Sequence, residues 1–143
     1  MRIHVRDVQE VVILVGYPSA GKSTWAQTNL VDKSTKYVVI SGDDLKTIPK
    51  MIKVAKIQLD LGKSVVIDRT NPKVEDRAKF IELAALYKIP VRCVVFNVAI
   101  ETAMEWNIKR LNETDKKVPR IAFYLFRKNY VSPTSDECEL VLI

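Results

Sequence analysis

The residues Gly16–Thr24 read Gly-Tyr-Pro-Ser-Ala-Gly-Lys-Ser-Thr and directly follow the apolar run Val11–Val15. They fit the pattern Gly-x-x-x-x-Gly-Lys-Ser/Thr at a strand-to-helix turn, which is the setting of a phosphate-binding loop. The glycines let successive backbone N–H groups face phosphate oxygens, and the dipole of the following helix adds positive potential. Lys22 would neutralise the outer phosphates, and the Ser23 hydroxyl would ligate Mg²⁺. The residues expected to bind ATP or another nucleoside triphosphate are Gly16, Tyr17, Pro18, Ser19, Ala20, Gly21, Lys22, Ser23 and Thr24.

Carboxylates follow the next two apolar runs, in the segments Ser41–Asp44 and Asp68–Asn71. Ligands of open parallel sheets bind beyond the carboxyl ends of the strands, so these segments and the loop should meet there. A kinase that acts on an alcohol needs a carboxylate to accept the hydroxyl proton, and we assign this role to Asp43. Asp44 is equally well explained as a helix N-cap, and both aspartates could be turn residues only.

Asp68 ends an apolar strand, the position typical of an acid that acts on Mg²⁺ directly or through water. The alternative is an aspartate that only caps the next turn. Thr70 and Asn71 are candidate substrate contacts, although Asn71 followed by Pro72 also fits a helix N-cap and a first-turn proline. The buried face predicted for that helix consists of Val74, Ala78, Ile81 and Ala85.

The segment from Lys109 to Pro119 is polar and basic and lies between two predicted helices. Such a segment is typical of a lid whose cations close over a triphosphate, and Lys109 and Arg110 are the candidates. The alternative is a solvated helix end, where basic residues also complement the helix dipole. A stripe of cations beside Asp43 would suit the acceptor's phosphodiester backbone, although charged runs are usually solvated surface. This stripe consists of Lys46, Lys50, Lys53 and Lys56.

Short apolar runs alternate with helical patterns along the chain, and the runs lack the polar alternation of strands exposed on one side. This predicts an α/β, three-layer P-loop kinase fold, in which a five-stranded parallel sheet carries helices on both faces. The predicted strands are Val11–Val15, Tyr37–Ser41, Ser64–Asp68, Val91–Asn97 and Glu139–Ile143. The predicted helices are Lys22–Leu30, Pro49–Leu61, Pro72–Tyr87, Ile100–Asn112 and Pro119–Tyr130.

The 143 residues, of which 48% are hydrophobic, suit a single domain spanning residues 1–143. The net charge of +6 favours an anionic partner, nucleic acid first, although ordinary lysine-rich solubility would also explain it. Cys93 and Cys138 are far apart in sequence and His4 is the single histidine, so neither a zinc site nor a disulfide framework is expected. No run is long enough to span a membrane, and Asp7 and Glu10 break the pattern of a signal peptide. We expect an intracellular protein, cytoplasmic or nuclear and not secreted.

Together these segments resemble the polynucleotide 5′-hydroxyl kinases, which include the phage enzyme and the kinase half of the animal kinase-phosphatase. The matching segments are Gly16–Thr24, Asp43-Asp44, Val65–Pro72, Thr114-Asp115, Val118-Pro119 and Phe126–Pro133. The resemblance implies transfer of the γ-phosphate of ATP, with Mg²⁺, to a 5′-hydroxyl end of DNA or RNA. It places Asp43 as the general base and Lys22 and Ser23 at the phosphates and metal. By the same resemblance Asp68 lies at the acceptor and metal, and Lys109 and Arg110 fall among the lid cations. The family's phosphatase motif, Asp-x-Asp-x-Thr, has no counterpart, so 3′ phosphates should not be removed.

The chain departs from that family at three positions. Gly42 stands where the family usually has arginine, Lys46 stands near a position that is arginine in the phage enzyme, and Ser19 replaces a usual loop glycine. Lysine is a point charge and glycine contributes none, so we expect a fixed bidentate phosphate contact to be weakened or moved. Two other functions stay open. One is a P-loop kinase for a sugar, nucleoside or antibiotic, and the other is a non-catalytic ATP-binding module.

Overall fold

The computed structural model describes residues 3–113 and 118–143. Five strands form one sheet in the order β2-β3-β1-β4-β5, and all neighbouring strands are parallel. The strands are β1 Val11–Val15, β2 Tyr37–Ser41, β3 Ser64–Asp68, β4 Val91–Val95 and β5 Glu139–Leu142. The first three have the predicted bounds, whereas β4 and β5 end before the predicted Asn97 and Ile143. The predicted α/β fold is confirmed.

The helices cover both faces of this sheet. They are α1 Lys22–Ala26, continued as a π-helix over Gln27–Val31, then α2 Gly42–Leu45, α3 Ile48–Asp60, α4 Val74–Leu86, α5 Ile100–Glu113 and α6 Arg120–Asn129. Side chains of α3 and α4 bury one face of β1, and α1 with the π-helix buries the other. A small cluster joins α5 and α6 beside Tyr17, which ties these two helices to the phosphate-binding loop.

The start and the buried face of α4 both differ from the prediction. Asn71 is not the N-cap: its φ is +50°, and the capping position is Lys73, so Pro72 precedes the helix instead of opening it. The buried residues of α4 are Arg77, Phe80, Leu83 and Ala84, whereas Val74 is 38% exposed. Arg77 is fully buried, and its charge is compensated inside the protein. The two carboxylate oxygens of Glu137 accept hydrogen bonds of 3.0 and 3.2 Å from its guanidinium. The buried face of α4 therefore includes a charged residue, and the spacing of apolar residues in the sequence could not identify that face.

The two cysteines, distant in sequence, meet at the edge of the sheet. Cys93 lies on β4, Cys138 directly precedes β5, and their Sγ atoms are 3.0 Å apart. Both are free thiols. Among the residues described, no helix combines the length and apolar character needed to cross a bilayer.

Candidate nucleotide and acceptor site

The Gly16–Thr24 loop connects β1 to α1, at the switch point of the sheet where β1 lies between β3 and β4. Gly21 has a φ of +88°, a conformation that favours glycine. At Gly16 the constraint is space, because a Cβ atom there would lie 3.0 Å from the Cβ of Phe96. Ser19 adopts a φ of +60° without being glycine, so the position where glycine is usual keeps a glycine-like backbone.

Lys22 lies under this loop and is almost fully buried. Its Nζ donates hydrogen bonds to the carbonyl oxygens of Gly16, 3.1 Å away, and Tyr17. Burial lowers the pKa of Lys22 to about 8, although the carboxylates of Asp68 and Asp43 act in the opposite direction. The lysine therefore lies within electrostatic reach of both predicted acids.

Ser23 and Asp68, the two predicted metal ligands, are in direct contact. The Ser23 hydroxyl donates a 2.6 Å hydrogen bond to Oδ2 of Asp68. A hydroxyl and a carboxylate are a donor set that suits Mg²⁺, which usually combines one or two protein ligands with phosphates and water. Within the described ranges no cluster of three or more metal-binding side chains occurs, so this pair would hold the ion only together with phosphate oxygens.

Asp43 lies across the cleft from Lys22. It is exposed at the start of α2, and it lines a cavity of about 750 Å³ together with Gly21, Lys22 and Ser23. The cap of α2 is Ser41, whose Oγ accepts a 3.3 Å hydrogen bond from the Asp44 backbone N–H. Asp44 is therefore not an N-cap, and it is not among the residues that line the cavity. The geometry favours Asp43 over Asp44 as the base.

The segment after β3 contributes through both side chains and backbone. Thr70 lines the cavity, and its carbonyl accepts a 3.1 Å hydrogen bond from the Gly16 N–H, which joins this segment to the loop. Asn71 is fully buried, and its Nδ2 donates a 2.8 Å hydrogen bond to the carbonyl of Leu14. The prediction that Asn71 contacts substrate is therefore wrong, because its amide is used inside the protein to hold the segment against β1.

The predicted lid cations differ in their placement. Arg110 is half-buried and lines the cavity, whereas Lys109 is exposed and is not part of that lining. The tip of the predicted lid, with Thr114, Asp115, Lys116 and Lys117, lies outside the described residues.

Asn107 makes hydrogen bonds across the base of the predicted lid. Its Nδ2 donates to the carbonyl of Val118 at 3.0 Å, and its Oδ1 accepts from the Val118 N–H at 3.3 Å. The same Oδ1 lies 3.4 Å from the Ser19 hydroxyl of the phosphate-binding loop. Asn107 therefore connects Val118, which follows the tip of the predicted lid, to that loop.

The predicted lysine stripe is split by the structure. Helix α3 begins at Ile48, so Lys50, Lys53 and Lys56 share it, whereas Lys46 lies before it at a φ of +74°. All four lysines are exposed, and Lys46 does not line the cavity. The acceptor contact suggested for Lys46 by sequence therefore stays a prediction.

Comparison with known proteins defines the family. A family model described as "AAA domain" matches residues 11–133. The chain belongs to that family. It is 42% identical over 130 residues to a bifunctional polynucleotide phosphatase/kinase of Schizosaccharomyces pombe, which covers 90% of this chain. The resemblance to polynucleotide kinases is thereby confirmed, although this AAA-domain chain spans only 31% of that relative's length.

Solved structures agree on the fold. One match belongs to the Pnkp1/Rnl/Hen1 RNA repair complex, with a TM-score of 0.73 and 20% identity over 87% of this chain and 45% of that one. Another is the APS kinase CysC of Mycobacterium tuberculosis in complex with AMPPNP and APS. It has a TM-score of 0.61 and 21% identity over 74% of this chain and 72% of that one. At these identities the likeness establishes the P-loop kinase fold of this AAA-domain chain.

Sequence reasoning missed three polar residues around the site of this AAA domain. Arg69 lines the cavity, Asn107 supports the lid, and Arg77 donates 3.1 Å hydrogen bonds to the carbonyls of Asn71 and Pro72. Arg69 directly follows β3, and Arg77 and Asn107 lie within helices. A single polar residue at such a position does not repeat along the sequence, so hydrophobic periodicity gives no reason to single it out.

Proposed function

We propose that this chain is an ATP-dependent polynucleotide 5′-hydroxyl kinase, which transfers the γ-phosphate of ATP to a 5′-hydroxyl end of DNA or RNA. The observation that carries the proposal is one cavity lined by Asp43, Lys22, Ser23 and Asp68, which are the parts that phosphoryl transfer to an alcohol requires. The 42% identity to a polynucleotide phosphatase/kinase supports the acceptor class. The net charge of +6 supports an anionic acceptor.

The roles follow from position. The N–H groups of the Gly16–Thr24 loop and Nζ of Lys22 bind the phosphates and hold the γ-phosphate at the mouth of the loop. Asp43 accepts the proton of the 5′-hydroxyl as its oxygen attacks the γ-phosphorus in line. Arg110 lines the same cavity, where a cation stabilises the charge that spreads over the transferred group.

Ser23 and Asp68 are the residues that would hold Mg²⁺. The ion would supply neutralisation of charge on the phosphate oxygens. The hydrogen bond between the two side chains supports this assignment, because it places the Ser23 hydroxyl oxygen beside Oδ2 of Asp68.

The test is incubation of the purified chain with γ-labelled ATP and Mg²⁺ in the presence of 5′-hydroxyl DNA, 5′-hydroxyl RNA, nucleosides, sugars or aminoglycosides. We expect label on the 5′ ends of nucleic acid and none on the small molecules. Lys22→Ala should nearly abolish the transfer, whereas Lys36→Ala, an exposed lysine before β2, should leave it unchanged.

Two results would contradict the proposal. Label on a sugar, nucleoside or antibiotic but not on nucleic acid would identify a small-molecule kinase built on this fold. Binding of ATP with no transfer to any acceptor would identify a non-catalytic binding module. Either result would leave the nucleotide half of the site in place.

A further inference from the structure

A further cation lines the same cavity as the proposed base, and the mechanism above does not use it. Arg69 directly follows Asp68 at the carboxyl end of β3, and its half-buried side chain lines the cavity together with Asp43. Strand β3 is the direct neighbour of β2, the strand that leads into α2 and Asp43.

The stem of Arg69 occupies the space beside Gly42. A Cβ atom added at Gly42 would lie 3.3 Å from Cγ of Arg69, 3.5 Å from its Cβ and 3.2 Å from the Asp68 carbonyl oxygen. A side chain at position 42 would thus be in tight contact with the Arg69 stem and the β3 backbone, which would have to move by a few tenths of an ångström. Position 42, where the family resemblance implies arginine, thus has no side chain, and the stem of a different arginine, Arg69 of the segment after β3, lies against it.

The guanidinium is held from one side only. Its Nη1 donates to Oδ2 of Asp76 at 3.2 Å and to Oδ1 of Asn71 at 3.4 Å. Asn71 is itself fixed by its hydrogen bond to the Leu14 carbonyl. Within the described part of the chain, Nε and Nη2 have no hydrogen-bond partner. Arginine carries five donors in a planar fork, so an oriented guanidinium with free donors is suited to an oxyanion.

We propose that Arg69 binds the phosphodiester of the acceptor that lies nearest the reacting 5′-hydroxyl. This rests on the proposed function. The phosphates of ATP have their own partners in the loop and Lys22, on the β1 side of Asp68. Arg69 borders Gly42 and lines the cavity together with Asp43, the proposed base that the acceptor must approach. The exposed Lys73 also lines this part of the cavity and increases its positive charge.

The experiment compares two short 5′-hydroxyl oligonucleotides, one unmodified and one in which an uncharged methylphosphonate replaces the first linkage. In the wild-type chain this replacement should reduce kcat/KM by about 10- to 100-fold, the range of a hydrogen bond to a charged group. Arg69→Gln should lose a similar factor on the unmodified acceptor and should no longer distinguish the two. A methylphosphonate at the fourth linkage should have no comparable effect in either protein.

The controls separate this role from a structural one. Lys33→Gln makes the same charge change at an exposed position before β2 and should keep the preference for the charged linkage. Asp76→Asn removes the partner of Arg69 but leaves the guanidinium, so it should keep most of the preference. If Arg69 only pairs with Asp76, both substitutions will change thermal unfolding alike and Arg69→Gln will keep the wild-type preference. That result, or a rise in the KM of ATP alone, would overturn the proposal.

A binding measurement tests the role of Arg69 independently of phosphate transfer. Fluorescence anisotropy of the same oligonucleotides reports the effect of the first linkage whether or not phosphate is transferred. If the wild-type chain transfers nothing but binds the charged linkage more tightly through Arg69, the kinase proposal fails and the Arg69 site stands. If the chain transfers phosphate but binding and kcat/KM ignore the charge at the first linkage, the Arg69 site fails and the kinase stands.

Discussion

Asp43 and Lys22 face the same cavity from opposite environments, since Asp43 is exposed and Lys22 is almost fully buried. An exposed carboxylate can be replaced without disturbing the core. Burial lowers the pKa of Lys22 to about 8, so the charge of this lysine changes near that pH. The two residues therefore make different predictions.

Asp43→Asn keeps the shape of the side chain and removes its ability to accept a proton. We expect turnover to fall by about 10²–10⁴-fold, with no change in thermal unfolding or in ATP affinity. Steady-state kinetics with a 5′-hydroxyl oligonucleotide, beside a melting curve, tests this. Asp44→Asn is the matched control and should change turnover little. Full turnover in Asp43→Asn with loss in Asp44→Asn would transfer the role of base to Asp44.

The affinity for ATP should depend on pH through Lys22. The folded-state pKa is lowered to about 8, and the protonated form binds phosphate, so affinity should be constant below that pH and fall as the pH rises through it. The fall should not exceed about tenfold per pH unit for a single proton. Titration of a fluorescent ATP analogue measures it. Lys22→Arg keeps its charge and should give a flat profile, and a flat wild-type profile would contradict the assignment.

The chemistry of the loop was predictable residue by residue, because Gly16, Gly21, Lys22 and Ser23 have few other reasons to occur at that spacing. Arg69 was not predictable. Its role depends on the absence of a side chain at Gly42 and on acceptors from Asn71 and Asp76, and these meet only after β2, β3 and α4 have been packed.

Among the elements, α4 depends on a charge supplied from the segment before β5. Arg77 is fully buried and Glu137 nearly so, and the same arginine holds the carbonyls that precede α4. Removal of one partner leaves a buried charge unpaired. We expect Glu137→Ala to lower the free energy of unfolding by about 3–5 kcal/mol.

The matched control for that substitution is the exposed pair between Arg6 and Glu139, whose side chains are 34% and 51% exposed. Because water screens this pair, Glu139→Ala should cost less than about 1 kcal/mol. Urea unfolding of both variants provides the measurement. Equal losses would show that the buried pair has no special role.

The junction of β4 and β5 should respond to oxidants. The hydrogen bond with Cys93 lowers the pKa of the Cys138 thiol, and the same contact together with burial raises that of Cys93. Hydrogen peroxide should convert Cys138 to a sulfenic acid with release of water, and the Cys93 thiol should then displace a second water to form a disulfide. Intact mass should show the loss of two hydrogens, and Cys138→Ser should prevent it. Addition of oxygen without that loss would contradict the prediction.

At the scale of the whole molecule, the excess of basic residues should govern association with nucleic acid. We expect affinity for a single-stranded 5′-hydroxyl oligonucleotide to fall by roughly tenfold or more between about 50 and 200 mM salt. Replacing Lys50, Lys53 and Lys56 with glutamine tests the stripe on α3. If all three contact phosphates of the single strand, the slope of log affinity against log salt should decrease in magnitude by about two. An unchanged slope would assign these lysines to solvated surface.

The sheet was predictable to the residue in β1, β2 and β3 because strands buried on both faces must be continuously apolar. The helices were less so. The α4 boundary moved because Asn71 adopts a left-handed conformation that serves the sheet, and its buried face was misjudged because Arg77 is buried with a partner sixty positions away. Long-range pairing leaves no mark in local spacing.

The contact of Glu137 with Arg77 also has a practical meaning for anyone who reshapes this protein. Strand β5 lies at the edge of the sheet, and none of its residues lines the cavity. A variant that ends before Glu137 would nevertheless lose the partner of Arg77. The guanidinium of Arg77 holds the carbonyls of Asn71 and Pro72, which directly follow Arg69 and Thr70 in the chain. Shortened versions of this protein should therefore keep Glu137.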